Sequence, residues 1–291
     1  MTNEKATGAN GPVWFITGCS TGFGHELAKQ ALERGFRVVA TARKPDEIES
    51  LKALGDALIL KLDVTDPKQI ADAVKAAEDK FDQIDVLVNN AGIGYFSGIE
   101  EGDEEQIRRL FEINVFGLCR MTRTVLPRMR LRRRGLIVNL SSLAGIRGFP
   151  ALGYYNATKF AVEGLSEALR GEVAPLGLKV MVVEPSGFRT DWAGRSAEVS
   201  QGKIADYAST ADAGRASLLA VSGKQPGDPV RAAKAIVEAA ELADPPHHLL
   251  LGADSFEGAM SKVDELRKEF AAGEKVARAA DFPAEQRDHA A

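Results

Sequence analysis

Residues 13–24 read Val13-Trp14-Phe15-Ile16-Thr17-Gly18-Cys19-Ser20-Thr21-Gly22-Phe23-Gly24, an apolar run that passes straight into glycines spaced G-x-x-x-G-x-G. An apolar run without polar alternation suits a strand buried on both faces. The amphipathic stretch after it, 24–34, suits a helix. Glycines at such a join let the backbone turn tightly, and the free N–H groups that open the helix attract phosphate. Glycines in a turn mean little alone; the strand before and the helix after give them their reading.

Outward from this turn the same rhythm repeats. Apolar runs at 13–17, 37–42, 57–62, 86–89, 136–140, 179–184 and 248–251 read as strands. Amphipathic stretches at 24–34, 67–80, 104–130, 155–174 and 229–243 read as helices between them. Strand–helix–strand repetition predicts an α/β fold, a Rossmann-type doubly wound parallel sheet of about seven strands with helices on both faces. No linker or composition shift divides the chain, so residues 13–270 read as a single domain, with a flexible leader at 1–12 and a loosely ordered tail at 271–291. Residues 190–226 break the rhythm without clear strands. Ligands in open α/β sheets bind outside the carboxyl ends of strands, so this insertion reads as a substrate lid.

Composition excludes several classes. With 37 Lys plus Arg against 41 Asp plus Glu, the 291-residue chain is mildly acidic and offers no nucleic-acid surface. The basic run 128–134 is read as a solvated helix end, where cations suit the dipole. Two cysteines, Cys19 and Cys119, form neither a disulfide framework nor a metal cluster, so no metal is expected. No run is long enough to span a membrane, and the polar leader lacks a signal-peptide core; a cytoplasmic protein is expected.

The second strand carries a further signal. An NAD site places an acid at its end to accept from the adenosine ribose hydroxyl. Here the strand ends Ala42-Arg43-Lys44, with no acidic residue between Glu33 and Asp46. Arg43 can instead grip a 2′-phosphate with a charge-assisted fork, Ser20 or Lys44 assisting. NADP is therefore expected over NAD.

Tyr155-Asn156-Ala157-Thr158-Lys159 opens the long helix after the fifth strand. Residues four apart share a helix face, so the Tyr155 phenol and the Lys159 ammonium are neighbours, whereas Tyr154 points roughly 140° away from the lysine. A phenol ordinarily titrates near pH 10, so acid–base work near neutrality can require lowering it by about three units, or roughly 4 kcal/mol. A nearby lysine supplies a field of the right sign. Thirteen residues before Tyr155, the fifth strand ends in Ser141-Ser142. A hydroxyl there can donate to a substrate oxygen, and spacing alone does not choose between the two serines.

Together these motifs resemble the short-chain dehydrogenase/reductase family, in its single-domain subclass, over nearly all of residues 13–252. The resemblance rests on the turn Thr17–Gly24, Asp63-Val64, Asn89-Asn90-Ala91-Gly92, Asn114, Ser142, Tyr155 with Lys159, and Pro185-Ser186-Gly187 through Thr190. It implies a catalytic tetrad of Asn114, Ser142, Tyr155 and Lys159. Ser142 rather than Ser141 matches, because Leu143-Ala144-Gly145 follows it. In this reading Tyr155 protonates the substrate oxygen, Lys159 binds the nicotinamide ribose and depresses the tyrosine pKa, and Asn114 holds a water linking Lys159 to solvent. The resemblance further implies a cofactor held by Gly18, Ser20, Thr21, Gly22, Phe23, Gly24, Asp63, Val64, Asn89, Ala91, Gly92, Tyr155, Lys159, Pro185, Gly187 and Thr190. The chain departs from the commonest pattern at Ser186 and at Thr21, where many NADP-preferring members carry a base, so the NADP expectation leans on Arg43.

The turn 15–24, the segment 38–43 and the late strand after Pro245-Pro246 resemble the branch of 17β-hydroxysteroid and retinol dehydrogenases, which handle hydrophobic alcohols and ketones. Phe149, Phe188 and Trp192 follow the catalytic strands and are candidate substrate residues. The expected partner is a hydrophobic carbonyl or alcohol interconverted with NADPH or NADP. The resemblance also implies a homo-oligomer, dimer or tetramer, built on the helices at 104–130 and 155–174. Competing readings are a non-catalytic NADP sensor, disfavoured by the filled tetrad, and an NAD-using alcohol dehydrogenase, disfavoured by Arg43.

Overall fold

A computed structural model describes residues 11–194 and 196–283. Most of the expected leader, and the last part of the expected tail from 284 on, lie outside the described residues.

Seven parallel strands form one sheet: β1 (Val13–Ile16), β2 (Arg37–Ala42), β3 (Ala57–Lys61), β4 (Val86–Asn89), β6 (Gly135–Leu140), β7 (Leu178–Pro185) and β9 (His248–Leu251), with β5 (Gly94–Phe96) and β8 (Ala197–Val199) set apart from it. Their spatial order is β3-β2-β1-β4-β6-β7-β9. The chain runs outward from β1 to one edge, then returns to add β4 on the other side. That reversal opens a crevice at the carboxyl ends of β1 and β4, where doubly wound sheets bind ligands.

Alternation along each strand explains why both faces carry core. Val13 and Phe15 enter one apolar layer with Val39, Leu87 and Ile137, against α2 (Pro67–Phe81) and α4 (Leu118–Arg132). Trp14 and Ile16 enter the other with Val38, Val88 and Val138, against α1 (Gly22–Glu33) and α7 (Pro229–Ala240). All four residues of β1 are buried, so each side of the strand needs an apolar partner and the run carries no polar alternation. Local chemistry sets the helix starts. Asp66 caps α2 by accepting from Lys68 N at 2.8 Å and Gln69 N at 3.1 Å, with Pro67 in the first turn. Asp228 with Pro229 repeats the device at α7.

Three features depart from the sequence expectation. The helix expected at 104–130 is α3 (Glu104–Phe111), a π-helical turn (Glu112–Gly117) and α4, ending at Arg132. The apolar pattern runs through the widened turn, so periodicity does not expose it. The insertion 190–226, expected without strands, contains β8 (Ala197–Val199), which pairs in parallel with β5 (Gly94–Phe96) as a separate two-stranded sheet. Such short strands carry too little alternation to be read. Helix α8 (Ala253–Ala272) was not expected either: only Ser255 and Ala259 on it are buried, while Phe256, Met260, Val263 and Phe270 are exposed. Between these lie α5 (Gly153–Val173) and α6 (Ala213–Ala220), and α9 (Glu274–Ala279) follows α8.

Candidate active site

The crevice at the carboxyl edge is a cleft of about 1750 Å³, larger than the roughly 300–1,000 Å³ of a site for one small ligand. It therefore has room for an extended cofactor and a second molecule.

At one end the chain leaves β1 through Gly18 (φ 71°) and Gly22 (φ 59°), left-handed conformations that favour glycine. Space forbids a side chain as well: a Cβ on Gly18 would lie 3.0 Å from Ala91 Cα. Asn90, in the turn after β4, braces this loop. Its Nδ2 donates to Thr17 O at 2.8 Å and Gly18 O at 2.9 Å, while Asn90 N and Ala91 N both donate to Thr17 Oγ1 at 3.0 Å. Asn90 was quoted in the sequence motif without a role of its own. No acidic residue occupies the first turn of α1, and its N-cap Thr21 makes no side-chain capping bond, so the opening N–H groups are available to an anion.

Along the cleft wall stand Ser20, Thr21, Phe23, Arg43, Asp63, Val64, Ala91, Gly92, Pro185, Gly187 and Thr190, all among the residues that the sequence singles out. Gly24, Asn89 and Asn114 are not on it. Gly24 packs against Asn90 and Gly18. Asn89 is buried behind the loop, donating to Thr122 Oγ1 at 3.1 Å and Asn139 Oδ1 at 2.9 Å, a bridge between β4, α4 and β6. Asn114 sits in the π turn; its amide donates to Ile93 O and Thr158 Oγ1 and accepts from Ile93 N. Its side chain thus ties the turn to the chain after β4 and to α5. Asp63 is held by Thr65, whose N and Oγ1 donate to its carboxylate at 2.9 and 2.7 Å.

Tyr155, Lys159 and Ser142 meet in the middle of the cleft. Ser142 ends the extension of β6; its hydroxyl accepts from Ala144 N at 3.1 Å and donates to Pro185 O at 3.3 Å, and it pulls on the titration of the Tyr155 phenol. Lys159, one turn after Tyr155, sits 5.6 Å from the phenol ring centroid and donates to Leu140 O at 2.7 Å. Tyr154 is turned off the site, its hydroxyl donating to Ile99 O at 2.7 Å. Burial dominates the titration of the pair. It pushes the Tyr155 phenol up, against a smaller downward pull from Ser142. It pulls the Lys159 ammonium down to about 8, against an upward push from Glu163. In the chain by itself, burial thus favours the protonated phenol.

Above the phenol the cleft becomes apolar. Trp192 packs on Tyr155 with ring centroids 4.8 Å apart and on Phe96 at 5.5 Å. Phe149, Leu152, Leu218 and Val221 complete the wall. Phe188 lies toward the glycine loop, 5.2 Å from Phe23. Leu218 and Val221 come from the insertion, and the sequence reading did not single them out.

A parallel doubly wound sheet, a glycine turn at its reversal and a Ser-Tyr-Lys set beside an apolar recess define a dinucleotide-dependent oxidoreductase. The comparisons agree. The short chain dehydrogenase family model matches residues 12–200. Oxidoreductase BOA17 of Botryotinia fuckeliana is 39% identical over 257 residues, 87% of this chain and 93% of that one. The 3-ketodihydrosphingosine reductase of Bacteroides thetaiotaomicron is 41% identical over 194 residues, 66% of this chain and 70% of that one. The crystal structure of a short-chain dehydrogenase from Streptomyces avermitilis, 39% identical, superposes with a TM-score of 0.88 over 94% of this chain and 100% of that one. The chain belongs to the short-chain dehydrogenase/reductase family and is an oxidoreductase acting on CH–OH groups with a nicotinamide cofactor. No helix among the described residues is long and apolar enough to cross a membrane.

Proposed function

We propose that this protein interconverts an aldehyde or ketone and the corresponding alcohol on a hydrophobic small molecule, with NADP(H), and that Tyr155 is its general acid and base. The observation that carries the reading is the convergence of Tyr155, Ser142 and Lys159 at one point of a cleft whose far end is a glycine-lined phosphate cradle.

A nicotinamide dinucleotide fits this cleft: Gly18 and Gly22 hold the turn after β1 in left-handed conformations that favour glycine, the helix start offers N–H groups without a side-chain cap, and Arg43 stands exposed on the wall. The α1 N-terminus and Ser20 would hold the pyrophosphate, Arg43 the 2′-phosphate, and Lys159 and Thr190 the nicotinamide half. Bound there, the nicotinamide donates or accepts the hydride. Ser142 donates to the substrate oxygen and orients it toward the phenol. In reduction, Tyr155 gives that oxygen its proton, which burial keeps on the phenol until needed. Lys159, pulled down to about 8, is poised to return a proton near neutral pH and stabilises the phenolate while it lasts. Asn114 holds the π turn against α5, so it fixes where Lys159 stands. In oxidation the same residues act in reverse.

The recess of Phe149, Leu152, Trp192, Leu218 and Val221 supports an apolar substrate, and the insertion 190–226 serves as its lid. One relative is named a 3-ketodihydrosphingosine reductase, and a keto substrate agrees with that class. Homo-oligomerisation through α4 and α5 completes the proposal.

The test is NADPH oxidation against a panel of aromatic, long-chain aliphatic and steroidal carbonyls, with Tyr155→Phe in parallel. The wild type is expected to turn over at least one class. The variant should lose about 10²–10⁴-fold or more in kcat while binding NADPH with unchanged affinity. A variant that keeps its turnover removes the proton-transfer role.

A further inference from the structure

One turn beyond Lys159 on the same helix face lies Glu163, outside the tetrad and on no other path of the proposed reaction. Its carboxylate meets two groups from the sheet edge. One oxygen or nitrogen each from Glu163 on α5, Glu184 on β7 and His248 on β9 lies within 4.8 Å of the other two. Glu184 is fully buried, shares a 2.6 Å hydrogen bond with His248 Nδ1 and accepts from Leu249 N at 3.0 Å. Glu163 Oε1 is buried without a hydrogen-bond partner. The His248 side chain is 58% exposed, so the trio reaches solvent through the imidazole. A continuous set of titratable groups therefore runs from the catalytic cleft, through the sheet edge, to the surface.

We infer that Glu163 is a positioning residue that holds the charge on Lys159, and that Glu184 and His248 tie this support to a solvent-exposed imidazole. The inference rests on the proposed reaction for the role of Lys159. Other groups around Glu163 do not supply an equivalent charge. Ser141, at the end of β6, is neutral; Arg147 stacks its guanidinium over Phe149 at 5.4 Å; His247 is bonded to Val180 O, on the side of Glu167 and Arg170. Two carboxylates this close in an interior site cannot both be ionised cheaply, so a proton on Glu184 favours the charge on Glu163. Burial pushes both up, Glu184 to about 7 with Glu163 contributing, and His248 opposes that rise on each. The coupling then follows: an imidazolium at 248 favours the ionised Glu163, and the ionised Glu163 favours the Lys159 ammonium.

The test reads the lysine directly as well as turnover. Protein labelled with ¹³Cε-lysine is titrated by NMR, and the Lys159 signal is assigned by its loss in Lys159→Met. The wild-type midpoint is expected near 8. Glu163→Gln should lower it by about one pH unit, and Glu163→Asp should largely restore it. In turnover, the alkaline limb of the kcat–pH profile should move with each midpoint. An unchanged Lys159 midpoint in folded Glu163→Gln overturns the inference. So does loss of turnover on chelation that a divalent cation restores, which would make the trio a metal site. If the midpoints move as expected but the wild type reduces no carbonyl, the coupling stands and the proposed reaction falls.

Discussion

Arg43 stands exposed on the cleft wall and makes no hydrogen bond or ion pair with any described residue, while its neighbour Lys44 leans 3.9 Å from Glu47. An unpaired guanidinium beside an anion cradle gains more from a ligand phosphate than a paired one would. Arg43→Ala is expected to raise the KM for NADPH about 10- to 100-fold, the worth of a charge-assisted contact, and to leave NADH nearly unchanged. Equal losses for both cofactors in initial-rate kinetics would remove the NADP assignment. Lys159 gives a second prediction. The unfolded chain keeps this proton up to about pH 10.5, whereas the folded one releases it near 8. Between those values the unfolded state binds more protons, so the lysine's unfavourable contribution is full below pH 8 and relieved as pH rises. From pH 8 to 9.5 the wild type should gain about 2 kcal/mol relative to Lys159→Met in urea unfolding. Buried Cys19 and Tyr155 hold their protons above the unfolded values and act the other way, but equally in both proteins. A constant difference across that range would mean that burial does not depress the lysine. At this scale Tyr155, Lys159 and Ser142 were legible because helix spacing and motif order place them together. Asn90, Leu218 and Val221 were not, since their roles depend on contacts between loops far apart in the chain.

The insertion 190–226 is anchored by a buried ion pair as well as by apolar packing. Arg215 on α6 and Glu101, ahead of α3, are both nearly inaccessible and pair at 3.0 Å. The same guanidinium donates to Ser200 O at 2.9 Å, and Glu101 also accepts from Ile204 N at 2.8 Å. Both charges are thereby solvated by the insertion's own backbone. Removing one partner strands the other charge in the interior, at a cost of about 3–5 kcal/mol. Arg215→Ala is therefore expected to lower the urea midpoint. It should also raise the KM for the carbonyl more than that for NADPH, because Leu218 and Val221 line the substrate recess. A variant that matches the wild type in both would mean the ion pair does not hold the insertion. This anchoring explains which elements the sequence disclosed. Strands β1, β2, β4, β6 and β7 announce themselves because burial on both faces forces nearly unbroken apolar runs. Within the insertion, structure is set by Glu101 and by pairing with β5, neither of which leaves a periodic trace in residues 190–226. The π turn at Glu112–Gly117 is hidden for the same reason: the bonds of Asn114 to Ile93 and Thr158 specify it, and these join positions 21 and 44 residues away.

At the scale of the whole molecule, one face of α5 is finished on the inside and bare on the outside. Tyr155, Lys159, Val162 and Ser166 are buried, whereas Ala157, Phe160, Gly164, Ala168 and Gly171 are exposed at spacings of three and four. Phe160 remains 47% accessible, and a Cβ added at Gly164 or Gly171 would meet nothing within 4 Å. Small residues spaced this way let a second helix approach closely, since interaxial distance follows the size of the contact side chains. Together with the family resemblance this predicts that α5 packs on its counterpart in a second copy, with α4 alongside. Gly164→Glu separates the interface from the fold. Within one subunit the new side chain points into open space and replaces a helix-interior glycine, which favours the helix by up to about 1 kcal/mol. Across a two-fold axis it meets its own copy, so two buried like charges oppose association. Light scattering should give the wild type a multiple of its 31.2 kDa chain mass. The variant should run as the monomer, with a melting temperature equal to or above that of a wild-type sample diluted until it dissociates. A variant that keeps the wild-type mass would place the subunit contact elsewhere. Because α5 carries Tyr155 and Lys159 on its inner face, a monomeric variant also reports whether pairing steadies the catalytic helix: a lower kcat at unchanged KM for NADPH would show that it does.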